Sequence, residues 1–249
     1  MNGFKKTVLT ATAVFVLGLG ANAQAFVIDS FDTQQGPVVD NTNADGAVTD
    51  TTAAGAFVST DLVGATRMLS VDALSGADTS DVVQMGVDTS HLSFSTSPFV
   101  TATSMVEWAG FGATDLTQPG GLGIGVAITV LFSDATQNIV PQSTATLTLT
   151  KSGGGTIFET LNIPLTTPPA AGTDPDAVPA PFDHIFTFGG GFAGATDITK
   201  INLTIQAQPG LDVVVDNIQT EVVPEPGTIL LFGSGLAGLG FWRYRKSQA

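Results

Sequence analysis

Thr144-Ala-Thr-Leu-Thr-Leu-Thr150 places its threonines on one side of an extended chain and Ala145, Leu147 and Leu149 on the other. A period of two over seven residues predicts a strand with one face in a core and one in water. The same period returns further along, where Ile201, Leu203 and Ile205 alternate with Asn202, Thr204 and Gln206. Val213, Val215 and Ile218 recur near the end of this region. Further strand candidates are 26–31, 56–60, 67–74, 82–87, 99–108, 123–132, 156–163 and 182–188. Turn chemistry separates them, in Asn43-Ala-Asp-Gly46, Pro119-Gly-Gly121, Ser152-Gly-Gly-Gly155, Pro168-Pro169, Gly189-Gly-Gly191 and Pro209-Gly210. No window between residues 26 and 223 sustains a 3.6 period with helix caps. About ten short strands cut by Gly and Pro predict an all-β fold, an antiparallel β-sandwich.

Composition narrows the function. The 249 residues include 22 acidic and 8 basic side chains and no cysteine, and charged residues make up 12%. Without cysteine there is no disulfide framework, thiolate metal site or thiol nucleophile. A formal charge of −14 excludes nucleic acid as a partner, because phosphates demand a basic footprint. The basic residues also sit in telling places. Lys5 and Lys6 precede one apolar run, and Arg243, Arg245 and Lys246 follow another, which leaves Arg67, Lys151 and Lys200 between. Residues 26–223 therefore hold 21 acidic and 3 basic groups, a net charge of −18. Such a charge keeps a domain soluble and repels acidic polymers unless divalent cations bridge them.

At the front, Lys5-Lys6, an apolar stretch over 8–20 and the small residues Ala21-Asn-Ala-Gln-Ala25 have the order of a secretory signal peptide. Two cleavage frames exist, after Ala23 and after Ala25. A helix over 8–20 is too short for a bilayer core of about 30 Å. At the back, the apolar span 227–242 would reach about 24 Å as a helix. Trp242 and Tyr244 would anchor it at the interface, with the basic residues snorkelling. The basic end stays cytoplasmic, so everything before it is exported. Pro224 and Pro226 keep the segment before the helix extended and accessible.

Val223-Pro-Glu-Pro-Gly227, an apolar helix with internal glycines and a terminal basic cluster resemble the PEP-CTERM protein-sorting signal, also catalogued as an ice-binding protein C-terminal domain. The resemblance covers Val223 to Ala249 and rests on Pro224, Glu225, Pro226, Gly227, Arg243, Arg245 and Lys246. It implies a Gram-negative source that makes exopolysaccharide. It also implies recognition by an exosortase, a transpeptidase-like membrane enzyme, after transient anchoring in the inner membrane. Proteins of this family are mostly non-enzymatic envelope or matrix proteins.

A second resemblance concerns the domain. Phe26-Val-Ile-Asp-Ser-Phe-Asp32 opens it and Asp212-Val-Val-Val-Asp-Asn-Ile218 closes it, which is similar to the galactose-binding-like jelly roll of carbohydrate-binding modules. This likeness implies that the first and last strands are neighbours. It also implies a structural calcium between Asp32 and Asp216, with Asp29 as a further ligand.

Other constellations carry less. Asn41-x-Asn43-x-Asp45-Gly46 departs from a calcium loop at its first and twelfth positions and reads as a turn. His91 and His184 stand in no metal spacing, and His184 alternates with Phe182 and Phe186, so it reads as a packed residue. Glu107 beside Trp108 is the one carboxylate–aromatic pair that would suit glycoside hydrolysis. Gly120-Gly-Leu-Gly-Ile-Gly125 precedes a strand and so lacks the helix dipole of a phosphate loop. Tyr244 and one of the two Trp lie in the tail, which leaves Trp108 as the candidate sugar platform against its reading as a core residue. The threonines of 144–150 form a solvent-facing strand, since one strand is not an ice-binding array.

The expected organisation is a signal peptide over 1–25, a jelly-roll-like β-sandwich over 26–221 and a sorting signal over 222–249 with its helix at 227–242. The expected function is non-enzymatic, structural or adhesive, in the cell envelope or extracellular matrix and linked to exopolysaccharide. A glycan-specific carbohydrate-binding module is the first alternative and a glycoside hydrolase the second. The expected partners are the exosortase, exopolysaccharide and the membrane.

Overall fold

A computed structural model describes residues 25–41, 48–52, 62, 65–75, 81–88, 90–117, 123–134, 141–164 and 181–222, with the backbone alone at 48–52 and 222. The signal peptide to Gln24, the sorting tail after Val222, the strand candidate at 56–60 and most of the Asn41–Gly46 turn lie outside these residues. Ala25–Glu221 is one compact unit.

Among the described residues thirteen strands build it, in two antiparallel sheets. They are β1 (Val27–Asp29), β2 (Gln35–Asp40), β3 (Val48–Thr52), β4 (Thr66–Ser75), β5 (Val83–Asp88), β6 (His91–Thr96) and β7 (Thr101–Thr114), then β8 (Gly123–Ser133), β9 (Thr144–Lys151), β10 (Thr156–Asn162), β11 (Phe182–Phe186), β12 (Ile198–Ala207) and β13 (Asp212–Val222). The first sheet runs β11-β8-β13-β6-β5-β2, with β1 also on β13, and the second runs β10-β9-β12-β7-β4-β3. The chain crosses between the sheets repeatedly along its length, an alternation that jelly rolls share. The opening and closing strands pair through Val27↔Gln219 and Asp29↔Ile218, with a register shift between them.

The antiparallel sandwich expected from the sequence is thus the architecture adopted. Each strand sends alternate side chains inward. Ala145, Leu147 and Leu149 of β9 meet Leu203 and Ile205 of β12 in one core with Val213 and Val215 of β13. Leu147 and Leu149 are fully buried, while the four threonines between and around them are half-exposed.

Three strands stand where the sequence reading placed none. In β2, Gln35-Gly-Pro-Val-Val-Asp40 shows no clean alternation and carries a proline, which the last strand of a sheet tolerates because one row of amides faces outward. In β6, Leu92, Phe94 and Thr96 do alternate inward, but serines and His91 between them resemble a continued turn after Asp88. β3 is rich in Thr and Asp and pairs with β4 from Val48↔Val71 to Thr52↔Arg67. The candidate at 182–188 ends at Phe186, because Phe188 takes φ 55° and starts a 3₁₀ segment, Phe188–Gly194. Gly189-Gly-Gly191, read as a turn, lies inside that segment, and Gly189 and Gly190 keep non-helical backbone angles there.

Candidate functional site

Neighbouring residues of a strand point to opposite faces, and this separates Glu107 from Trp108. Trp108 is fully buried, and its indole Nε1 donates to Asp29 Oδ2 at 2.7 Å. A sugar platform needs an exposed ring face, so the candidate assignment of Trp108 to ligand binding gives way to its core reading.

Asp29 is likewise turned inward and is 1% exposed. Its two carboxylate oxygens, Oδ1 and Oδ2, accept from Arg67 Nη1 at 3.2 and 3.0 Å, and Oδ1 also accepts from the Phe31 amide at 2.8 Å. Arg67, fully buried itself, also donates through Nε to Gln35 Oε1 at 2.8 Å and through Nη2 to the Thr33 carbonyl. Its guanidinium lies 5.6 Å from the Phe31 ring centroid. The Arg67–Asp29 pair thus satisfies the β1–β2 entry, β4 and β7 inside the sandwich.

That placement removes Asp29 from the calcium ligands that the resemblance implied. Asp29 is committed to Arg67, Trp108 and a backbone amide, whereas Asp32 and Asp216 face the surface. Asp32 accepts from Ser30 Oγ at 3.0 Å and Ser90 Oγ at 3.1 Å, and Asp216 lies 3.5 Å from His91 Nε2. Among the described residues no three His, Asp or Glu side chains are grouped to hold a metal ion.

The outer face of the second sheet is where side chains able to meet a ligand gather. Cross-strand register aligns them in rows. One row runs Phe158, Thr148, Asn202, Glu107, Met68 across β10, β9, β12, β7 and β4. The next runs Thr160, Thr146, Thr204, Met105, Ser70, and a third runs Asn162, Thr144, Gln206, Thr103, Asp72. The Thr160 and Thr146 hydroxyls lie 2.8 Å apart. At the centre, Glu107 Oε2 accepts from Asn202 Nδ2 at 3.1 Å and pairs with Lys200 Nζ at 3.3 Å, which neutralises the middle of the face. Phe158 is 67% exposed at its rim, the aromatic side chain that Trp108 is not. The sequence held a signal for it, since Thr156-Ile-Phe-Glu-Thr-Leu-Asn162 places Phe158 on the polar side of its alternation.

Between the sheets, a cavity of about 30 Å³ is walled by apolar residues and His184. The His184 ring stands edge-on to Phe186 at 5.6 Å, packed between Phe182 and Phe186 on the inward side of β11 as the alternation predicted. Burial pushes its pKa down, and the negative charge of Glu159 opposes the shift. Glu159 faces inward from β10 and accepts from the Phe188 amide at 2.7 Å. Near the start of β13, burial raises the Asp134 pKa, although the Asp212 amide donates to its Oδ1 at 2.6 Å.

No curated protein matches this chain. Among solved structures, the family 11 carbohydrate-binding module of the cellulosomal cellulase Lic26A-Cel5E of Clostridium thermocellum is similar at 11% identity, over 80% of this chain and 95% of that one, with a TM-score of 0.34. The agarase AgWH50C is similar at 12% identity with a TM-score of 0.33, over 57% of this chain. This chain spans 22% of that agarase and 22% of PfGH50B, about a fifth of their length. Likenesses this remote assign no ligand and no reaction to the sandwich. The tail is different. A family model described as the PEP-CTERM protein-sorting motif matches residues 222–246, where Pro224, Glu225, Pro226, Gly227 and the basic cluster of Arg243, Arg245 and Lys246 fall. The chain carries a PEP-CTERM protein-sorting motif.

Proposed function

We propose that this chain is an exported, non-catalytic β-sandwich protein, delivered by its C-terminal motif through an exosortase to the cell envelope or matrix, where it engages polysaccharide. The sorting motif at 222–246 is the observation that carries the reading. Inner-membrane anchoring would be transient, through the apolar segment 227–242. The exported part meets its surroundings as an acidic body, and its most uniform ligand-sized surface is the hydroxyl- and amide-rich face of the second sheet. Thr, Asn and Gln offer both donors and acceptors, which suits a neutral glycan better than an acidic one at this net charge. Phe158 adds an apolar patch for the C–H face of a sugar ring.

Sorting is tested by changing Pro224 and Glu225 together to Ala in the native host and following the product by fractionation. The altered chain is expected to stay in the membrane fraction while the unaltered chain leaves it. Equal release of both overturns the exosortase reading. Glycan engagement is tested by co-sedimentation with insoluble neutral polysaccharides. Phe158→Ala is expected to weaken retention roughly tenfold, about 1.4 kcal/mol, with the melting temperature unchanged. Phe158 is exposed, so the fold tolerates the change. Retention indifferent to Phe158 removes this face from consideration.

A further inference from the structure

Three observations meet at His184. Its Nε2 is buried and has no hydrogen-bond partner among the described residues. It sits at an inter-sheet cavity whose other lining is hydrocarbon, supplied by Ile128 and Val130 of β8, Leu203 and Ile205 of β12, and Val213 and Val215 of β13 among others. Its strand, β11, is five residues long and, among the described residues, is the end strand of its sheet and pairs only with β8. A neutral imidazole is tolerated in such a place because Nε2 can remain an unprotonated acceptor with the ring proton on Nδ1. An imidazolium is not, because a charge in an apolar cavity must find a partner or leave.

One charged group faces it among the described residues. The walls from β8, β9, β12 and β13, and Ile163 and Pro164 after β10, bring no titratable side chain. The 3₁₀ segment Phe188–Gly194 brings none either. Asp183, on β11 itself, points outward and accepts from Thr129 Oγ1 at 2.7 Å. That leaves Glu159, which is already engaged with the Phe188 amide. Phe188 holds a left-handed backbone conformation, φ 55°, that is costly for a non-glycine residue and depends on its surroundings.

We propose that His184 is an acid-sensitive latch on this end of the sandwich: protonation at Nε2 drives the ring out of the apolar cavity and draws Glu159 from the Phe188 amide, so that β11 and the 3₁₀ segment detach while the rest of the two sheets holds. The proton comes from solvent and no bond other than N–H forms. The two states differ in which partner Glu159 serves, and pH biases the choice between them.

The sign follows from burial. With the folded-state pKa of His184 below its ordinary value, the latch is fully closed above about pH 6.5 and loosens as pH falls from there towards the folded value. Asp134 is shifted upward, so its contribution is present at low pH and lost as pH rises, the opposite direction. A difference between two variants that both keep Asp134 is free of it.

The experiment follows amide exchange by mass spectrometry, corrected for intrinsic rate, on the purified full-length chain and on H184F at about pH 7.5 and 5.5. Phe keeps the ring and suits the apolar cavity. In the unaltered chain, peptides covering β11 and Phe188–Gly194 are expected to lose at least tenfold in protection at the lower pH, with β7 and β12 unchanged. In H184F those peptides are expected to hold their protection. Equal loss in both chains, or loss spread evenly over all strands, overturns the latch. Nuclear magnetic resonance titration of the His184 ring in the unaltered chain gives a second reading independent of the variant's folding. A midpoint below about 6.5 that coincides with exchange broadening at β11 supports the latch, and a ring that titrates with no change at β11 overturns it.

Discussion

Asp29→Ala is expected to lower the stability of the sandwich by about 3–5 kcal/mol, the cost of leaving a buried guanidinium without its carboxylate. For a unit of this size that is a fall of about 6–20 °C in melting temperature. The reason lies in how much meets at Asp29. Its oxygens, 2.7–3.2 Å from their donors, serve Arg67, Trp108 and the Phe31 amide at once. Both ionic side chains are essentially inaccessible, at 0% and 2% exposure, so water cannot replace the lost acceptor. The double variant Asp29→Leu with Arg67→Met is the informative comparison. It removes both charges, and buried pairs replaced by hydrocarbon often lose little. Here recovery should be partial, because the Trp108 indole, Gln35 and the Thr33 carbonyl each lose a partner, at about 1–3 kcal/mol for each left unsatisfied. Thermal and urea unfolding of the two variants check the order. A single variant no less stable than the double would show that the pair is not what holds these elements.

This network was invisible along the chain, and the reason is physical. Asp29 stands 38 positions before Arg67 and 79 before Trp108, and no local period announces that a charged residue will be internal. Asp29 sits in a strand of only three residues, too short for alternation to show that its side chain points inward. Long strands behaved differently. In β9 and β12 the two-residue period gave both the core set and the polar set, because burial of one face alone dictates it. His184 was legible for the same reason, through Phe182 and Phe186 on either side. The polar face of the second sheet was half legible. The threonines of β9 could be read as outward, but their extension into rows with β10, β12, β7 and β4 depends on strand order, which crosses sequence distances that period carries no information about. The basic residues at the C-terminal end were legible from charge placement alone, and the tail match at 222–246 falls on them.

Gly125→Ala tests the other feature on which this end of the fold depends. A Cβ at position 125 would stand 2.2 Å from the Phe186 carbonyl oxygen and 3.0 Å from its carbon, inside any permissible contact. The obstacle is backbone, not a flexible side-chain tip, so relief requires β8 and β11 to move apart along the pairing Phe186↔Val126. Overpacking of this kind costs typically 1–3 kcal/mol, and each ladder hydrogen bond given up adds about 1 kcal/mol. A loss of about 2–4 kcal/mol is expected, with exchange protection falling first in β11. Gly112 is the control. It lies on β7 with nothing within 4 Å of an added Cβ and an ordinary φ, so Gly112→Ala removes only freedom of the unfolded chain. It is expected to be neutral or to stabilise by up to about 1 kcal/mol. The contrast assigns to Gly125 a role that has nothing to do with phosphate. At Gly125 the missing side chain lets β11 lie against β8, and only with β11 there can His184 reach its cavity. If both alanine variants melt together, the close approach of the two backbones is not what the glycine provides.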